Sequence, residues 1–136
     1  MLQQFTKRYP KVKVAKSENE IIDDNSIQLV ASAAIPIERA PIGIRVMQSG
    51  KDFMADKPGI LTLEQLKEVK KVQKETQRIY SIVYSERLGN PASVKAGELV
   101  SAGAIGKVVQ TIGLGPHRMR PESRPDWFFD PEKAGG

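Results

Sequence analysis

The run Ile27-Gln28-Leu29-Val30-Ala31-Ser32-Ala33-Ala34-Ile35 is almost continuously apolar and is closed by Pro36. Such a run, bounded by turn residues, suits a strand buried on both faces of a parallel sheet. A parallel sheet needs a crossover after each strand, and the next stretch supplies one. Ile37, Ala40, Ile44 and Met47 recur at helical spacing, Pro41 is placed in the first turn, and Gly50 reads as a C-terminal cap. Lys51 to Asp56 then reads as a second strand with Phe53, Met54 and Ala55 buried.

The alternation continues on both sides. Thr62 with Gln65 three residues later has the form of a capping box, and Leu63, Leu66, Val69 and Val72 form one apolar stripe behind it. Ile79 to Tyr84 is a further strand, and Pro91 opens a helix that runs to about Val100 and stops at Gly103. Upstream, residues 2–8 read as a helix halted by Pro10, Val12 and Val14 as a short strand of period two, and Ser17 with Glu20 as a second capping box. The expected order from Val12 to Val100 is β-α-β-α-β-α-β-α, an α/β fold with parallel strands and flanking helices. Ile105 to Leu114 is expected as a last extended piece. Gly115 to Gly136 carries four prolines and no periodicity, and is expected to lack secondary structure.

With 136 residues there is room for one core, and 40% hydrophobic content lies in the globular range. The net charge of +5 is spread along the chain without a basic stripe or interleaved aromatics, so nucleic-acid binding ranks last. No cysteine is present, which excludes disulfides and thiolate metal sites, and a single histidine, His117, excludes a histidine-rich metal cluster. No apolar run is long enough to span a membrane, and the first residues have no apolar signal core, so a cytoplasmic location is expected.

In open α/β sheets, ligands bind just outside the carboxyl ends of the strands. Asp56-Lys57-Pro58 stands at such an end, with a carboxylate, an ammonium and a proline in succession. Lys57 is either an ordinary solvated lysine or an ammonium aimed at a substrate oxygen. A proline there can adopt a cis bond that re-aims the chain. Arg87, in Tyr84-Ser85-Glu86-Arg87, leaves the following strand at the same edge and suits a carboxylate or phosphate. His117 is a loop residue with no identifiable partner carboxylate. Trp127-Phe128-Phe129 reads as a packing cluster. A glycine-rich phosphate turn between a strand and a helix is missing; Gly103-Ala104-Ile105-Gly106 follows a helix and reads as its terminator.

Taken in order, these motifs resemble the Gfo/Idh/MocA family of NAD(P)-dependent oxidoreductases, typified by glucose-fructose oxidoreductase and inositol dehydrogenase. The resemblance runs through the Lys51 turn, Asp56-Lys57-Pro58, Thr62-Leu63-Glu64, Tyr84 to Arg87, Ser101 to Val109 and Arg124 to Gly136. It implies a partial Rossmann-like NAD(P)-binding domain over 1–103, and the start of a C-terminal α+β substrate and oligomerisation domain over 104–136. It implies NAD or NADP as cofactor, a sugar or polyol substrate, hydride transfer, and a homo-oligomer. It assigns Lys57 as the catalytic residue and Asp56, Pro58 and Arg87 to the cofactor pocket.

The sequence departs from the family pattern where the Ala-Thr-Pro-Asn loop appears as Ala33-Ala34-Ile35-Pro36, and where the following histidine falls at Arg39. The family's G-x-G-x-x-G turn would lie before Met1 and its catalytic histidine after Gly136. The chain therefore reads as a central piece of such an enzyme, inactive in isolation. The competing reading is a non-catalytic binding or assembly module that kept the fold.

Overall fold

A computed structural model describes residues 2–115 and 118–135. Its helices and strands, in chain order, are α1 (Leu2–Arg8), α2 (Glu18–Ile22), β1 (Leu29–Ser32), α3 (Pro36–Gln48), β2 (Asp52–Asp56), α4 (Leu63–Thr76), β3 (Tyr80–Val83), α5 (Ser85–Gly89), α6 (Pro91–Ser101) and α7 (Pro131–Ala134). The strands form one parallel sheet in the order β1-β2-β3, with Phe53 opposite Val30 and Tyr80, and Ala55 opposite Ser32 and Ile82. This is the α/β architecture that the alternating pattern implies.

The local chemistry explains the boundaries. Ser17 accepts from Glu20 N–H, Thr62 from Gln65 N–H and Asn90 from Ala92 N–H, so three helix starts satisfy orphan amides with side-chain oxygens. Gly50, with φ of 83°, takes the left-handed turn between α3 and β2, which costs a glycine little. Gly103, with φ of 73°, ends α6, and Ala104 N–H donates back to Leu99 C=O at 3.0 Å.

The buried stripe of α3 is Pro36, Arg39, Ala40, Gly43, Val46 and Met47. One side of it packs on the sheet in a cluster of Ile22, Val46, Phe53 and Ala55; the other meets α4 through Ala40, Met47, Val69 and Val72. Tyr80 touches both clusters. Gly43 makes the close approach possible: a Cβ there would stand 2.5 Å from Phe53 Cδ1 and 2.5 Å from Tyr80 Cε2. The opposite face of the sheet, with Leu29, Ala31 and Val83, is exposed.

Pro41 lies inside α3 and not in its first turn, because the helix begins at Pro36 itself. A proline at this position cannot donate to the carbonyl of Ile37, four residues back. That carbonyl accepts instead from Gln65 Nε2 at 3.0 Å, while Gln65 Oε1 accepts from Leu61 N–H at 2.9 Å. One side chain thus repairs the gap in α3 and fastens the start of α4 to it.

Four expectations are corrected. Val12 and Val14 form no strand, because both are exposed and, among the described residues, no neighbouring strand offers them a ladder. Residues 105–115 are irregular and exposed for the same reason. Ser85 to Arg87 does not prolong β3 but opens the short α5. The tail is not structureless: Pro121–Ser123 and Asp126–Phe129 are single 3₁₀ turns and α7 follows, capped by Asp130, which accepts from Glu132 N–H at 3.0 Å. The Asp130-Pro131 pair, a cap followed by proline at the first helical position, was the signal for it. The tail folds back so that α7 packs on α3 and Gly135 lies against Leu61.

Candidate active site at the carboxyl edge of the sheet

Toward the carboxyl ends of β1, β2 and β3, the uncovered face of the sheet carries an open cleft of about 290 Å³, lined by Ala31, Ser32, Ala33, Met54, Ala55, Asp56 and Val83. Its floor is mostly small and apolar, with Asp56 at the rim. Asp56, Lys57 and Pro58 are all exposed, and the Lys57–Pro58 bond is cis. Asp56 Oδ1 accepts from Lys57 N–H at 2.8 Å, which turns the chain tightly as it leaves β2.

The residue that organises this corner is Arg39. It is 4% exposed, one of two buried charged residues among those described. Its Nε donates to Ala34 C=O at 2.7 Å in the turn that follows β1. Its Nη1 donates to Asp56 C=O at 2.8 Å and to Pro58 C=O at 2.9 Å. Its Nη2 stands 3.9 Å from Asp56 Oδ2. The planar fork of a guanidinium suits several acceptors at once.

Beneath the corner, Gly59 is buried, and a Cβ on it would lie 2.6 Å from Ile82 Cγ1. Tyr80 donates its hydroxyl to Gly59 C=O at 2.6 Å. Burial pushes the Tyr80 phenol up to about 12, against the opposing pull of the Arg39 charge.

The predicted site residues are thus partly gathered. Asp56, Lys57 and Pro58 share the corner. Arg87 lies past the end of β3, exposed, in the last turn of α5, and so belongs to the same edge of a parallel sheet. His117 lies outside the described residues. Arg39 and Tyr80 carry no local sequence signal for this site, and Gln65 signals only a helix cap.

No protein-family model matches the chain. It is 24% identical over 123 residues to D-xylose dehydrogenase of Paenarthrobacter nicotinovorans, covering 87% of this chain and 31% of that protein. It is 29% identical over 117 residues to levoglucosan dehydrogenase of Pseudarthrobacter phenanthrenivorans, covering 85% of this chain and 30% of that one. A solved structure from Erwinia carotovora atroseptica SCRI1043, assigned to the oxidoreductases, is 44% identical, with a TM-score of 0.93 over 98% of this chain and 40% of its own. Myo-inositol 2-dehydrogenase of Lactobacillus plantarum shares the fold at 22% identity and a TM-score of 0.65.

The chain is therefore homologous to dehydrogenases and other oxidoreductases, and the fold is Rossmann-like. This is the company that the resemblance to the Gfo/Idh/MocA family implies, and that resemblance stands. The chain spans about a third of the length of the curated relatives it matches. Among the described residues, no helix is long and apolar enough to cross a membrane.

Proposed function

We propose that this chain carries the carboxyl-edge part of an NAD(P)-dependent oxidoreductase site that acts on a CH–OH group of a sugar or polyol. The observation that carries the reading is the corner Asp56-Lys57-Pro58, set at the end of a central parallel strand beside the 290 Å³ cleft. The small residues Ala31, Ser32 and Ala33 leave room for a flat ring, and the exposed Lys57 follows Asp56, which lines the cleft. These residues fit the reacting end of a nicotinamide cofactor. They do not provide a pyrophosphate cradle, since the turn from β1 to α3 is Ala33-Ala34-Ile35 without a glycine.

When bound, the cofactor accepts or gives a hydride. Lys57 holds its ammonium against the substrate oxygen, stabilising negative charge as it develops there. Asp56 fixes the backbone that presents Lys57, and Arg87 at the neighbouring strand end takes an anionic group of cofactor or substrate. Residues 1–103 form the cofactor-binding part and 104–136 begin the substrate and oligomerisation part, in a cytoplasmic homo-oligomer. The chain alone does not turn over, because its sequence has no G-x-G-x-x-G turn and its one histidine, His117, does not match the place of the family's proton-transfer histidine.

The test is an NMR titration with NADH. Shifts centred on Ala31 to Ala33 and Asp56 to Lys57, weakened in Lys57→Ala, are expected. The absence of shifts at millimolar NADH, combined with a defined stable oligomer, would favour the non-catalytic module instead. Turnover of a polyol panel by the unmodified chain would refute its predicted inactivity.

A further inference from the structure

We propose that Arg39 is a positioning residue for this site: it sets the width of the carboxyl-edge cleft and the direction from which Lys57 enters it. The proposal rests on the oxidoreductase reading above. It follows from how the donors of Arg39 are distributed. One goes to the turn after β1, through Ala34 C=O, and one nitrogen serves two carbonyls of the corner after β2, through Asp56 and Pro58. Those two segments continue the two walls of the cleft, Ala31 to Ala33 and Met54 to Asp56.

A helix residue therefore ties the walls together from beneath, at a point where the sheet ladder has already ended: the last β1–β2 pair is Ser32 with Ala55. The carbonyls on either side of Lys57 converge on one nitrogen, so the backbone is pinned at residues 56 and 58 while Asp56, Lys57 and Pro58 all stay exposed. Arg39 is itself buried and its Nε and Nη1 donate to protein carbonyls, so it acts through Lys57 and the cleft walls and not on a ligand. A lysine in its place keeps the charge but not the fork, and reaches fewer of these acceptors at once.

The experiment uses the full chain, labelled with ¹⁵N. Wild type, Arg39→Lys, Arg39→Gln and Val72→Ala are compared; the last is a core variant in the α3–α4 cluster that controls for general destabilisation. Melting temperature, the Lys57 amide resonance and NADH affinity are read for each. Arg39→Lys and Arg39→Gln are expected to move the Lys57 amide and weaken NADH by about tenfold or more, as loss of orientation does. Val72→Ala is expected to lower the melting temperature without either effect.

If the Lys57 resonance stays at its wild-type position in both Arg39 variants, or Val72→Ala moves it equally, the positioning role is overturned. If the resonance responds but wild type takes no NADH, the oxidoreductase reading fails and Arg39 is only a brace. If wild type binds NADH and the Arg39 variants bind it equally well, the oxidoreductase reading stands and the positioning role falls.

Discussion

Arg39 meets Asp56 twice, and the two contacts are unequal. The backbone carbonyl of Asp56 accepts from Nη1 at 2.8 Å, whereas the carboxylate Oδ2 is 3.9 Å from Nη2 and its side chain is half exposed. The charge pair is therefore the minor component, since exposed pairs contribute at most about 1 kcal/mol. The three part-buried hydrogen bonds from the guanidinium to carbonyls are the major one, because a hydrogen bond to a charged group contributes about 1.5–3 kcal/mol. Arg39→Ala is expected to lower unfolding free energy by about 3 kcal/mol in denaturant titration, and Asp56→Asn by less than about 1 kcal/mol. Equal losses from the two would show that the ion pair holds the corner.

Two helical glycines respond to alanine with opposite signs. At Gly43 a methyl group would stand 2.5 Å from the rings of both Phe53 and Tyr80, which cannot both retreat inside a packed core. Gly43→Ala is expected to destabilise by about 1–3 kcal/mol, the usual penalty of overpacking. Gly97 lies inside α6 with nothing within 4 Å of its missing Cβ. Gly97→Ala is expected to stabilise by about 0.5–1 kcal/mol through helix propensity alone. Thermal melts of the two variants, read against wild type, check both signs.

Tyr80 makes stability fall at high pH. The phenol ionises near 10.0 when unfolded and at about 12 when folded, because burial disfavours the phenolate. The folded state therefore keeps a proton that the unfolded state releases between these values. The contribution is fully present below about pH 10 and is lost as pH rises toward 12. The difference in melting temperature between wild type and Tyr80→Phe is expected to narrow over that window. A constant difference would mean that the folded phenol titrates normally.

The sheet was legible because each strand is a compact apolar run followed by a helix. Ser17, Thr62 and Asn90 cap the helices they precede, and Gly50 and Gly103 take positive φ where helices stop. Local rules failed where an element needs a distant partner. Val12 and Val14 alternate like a strand, yet a strand exists only with a ladder beside it. The corner at Lys57 was legible from its position at a strand end. The hold of Arg39 on it was not, since recognition of carbonyls 5, 17 and 19 residues away in sequence leaves no periodic mark.

Pro41 and Gln65 make a pair whose energies should not add. In the wild type, Pro41 leaves Ile37 C=O without a helical donor and Gln65 Nε2 supplies one at 3.0 Å. Gln65→Ala should then cost about 1–2 kcal/mol, because both Ile37 C=O and Leu61 N–H lose a partner. In a Pro41→Ala background, the new amide of residue 41 donates to Ile37 C=O within the helix, and only the Leu61 contact remains to be lost. The Gln65→Ala penalty is expected to shrink by about 0.5–1 kcal/mol there, a coupling of the size seen for residues that share a partner. A double-mutant cycle by urea denaturation measures it directly. Strict additivity would show that water replaces the glutamine without cost, and that Gln65 does not repair the helix.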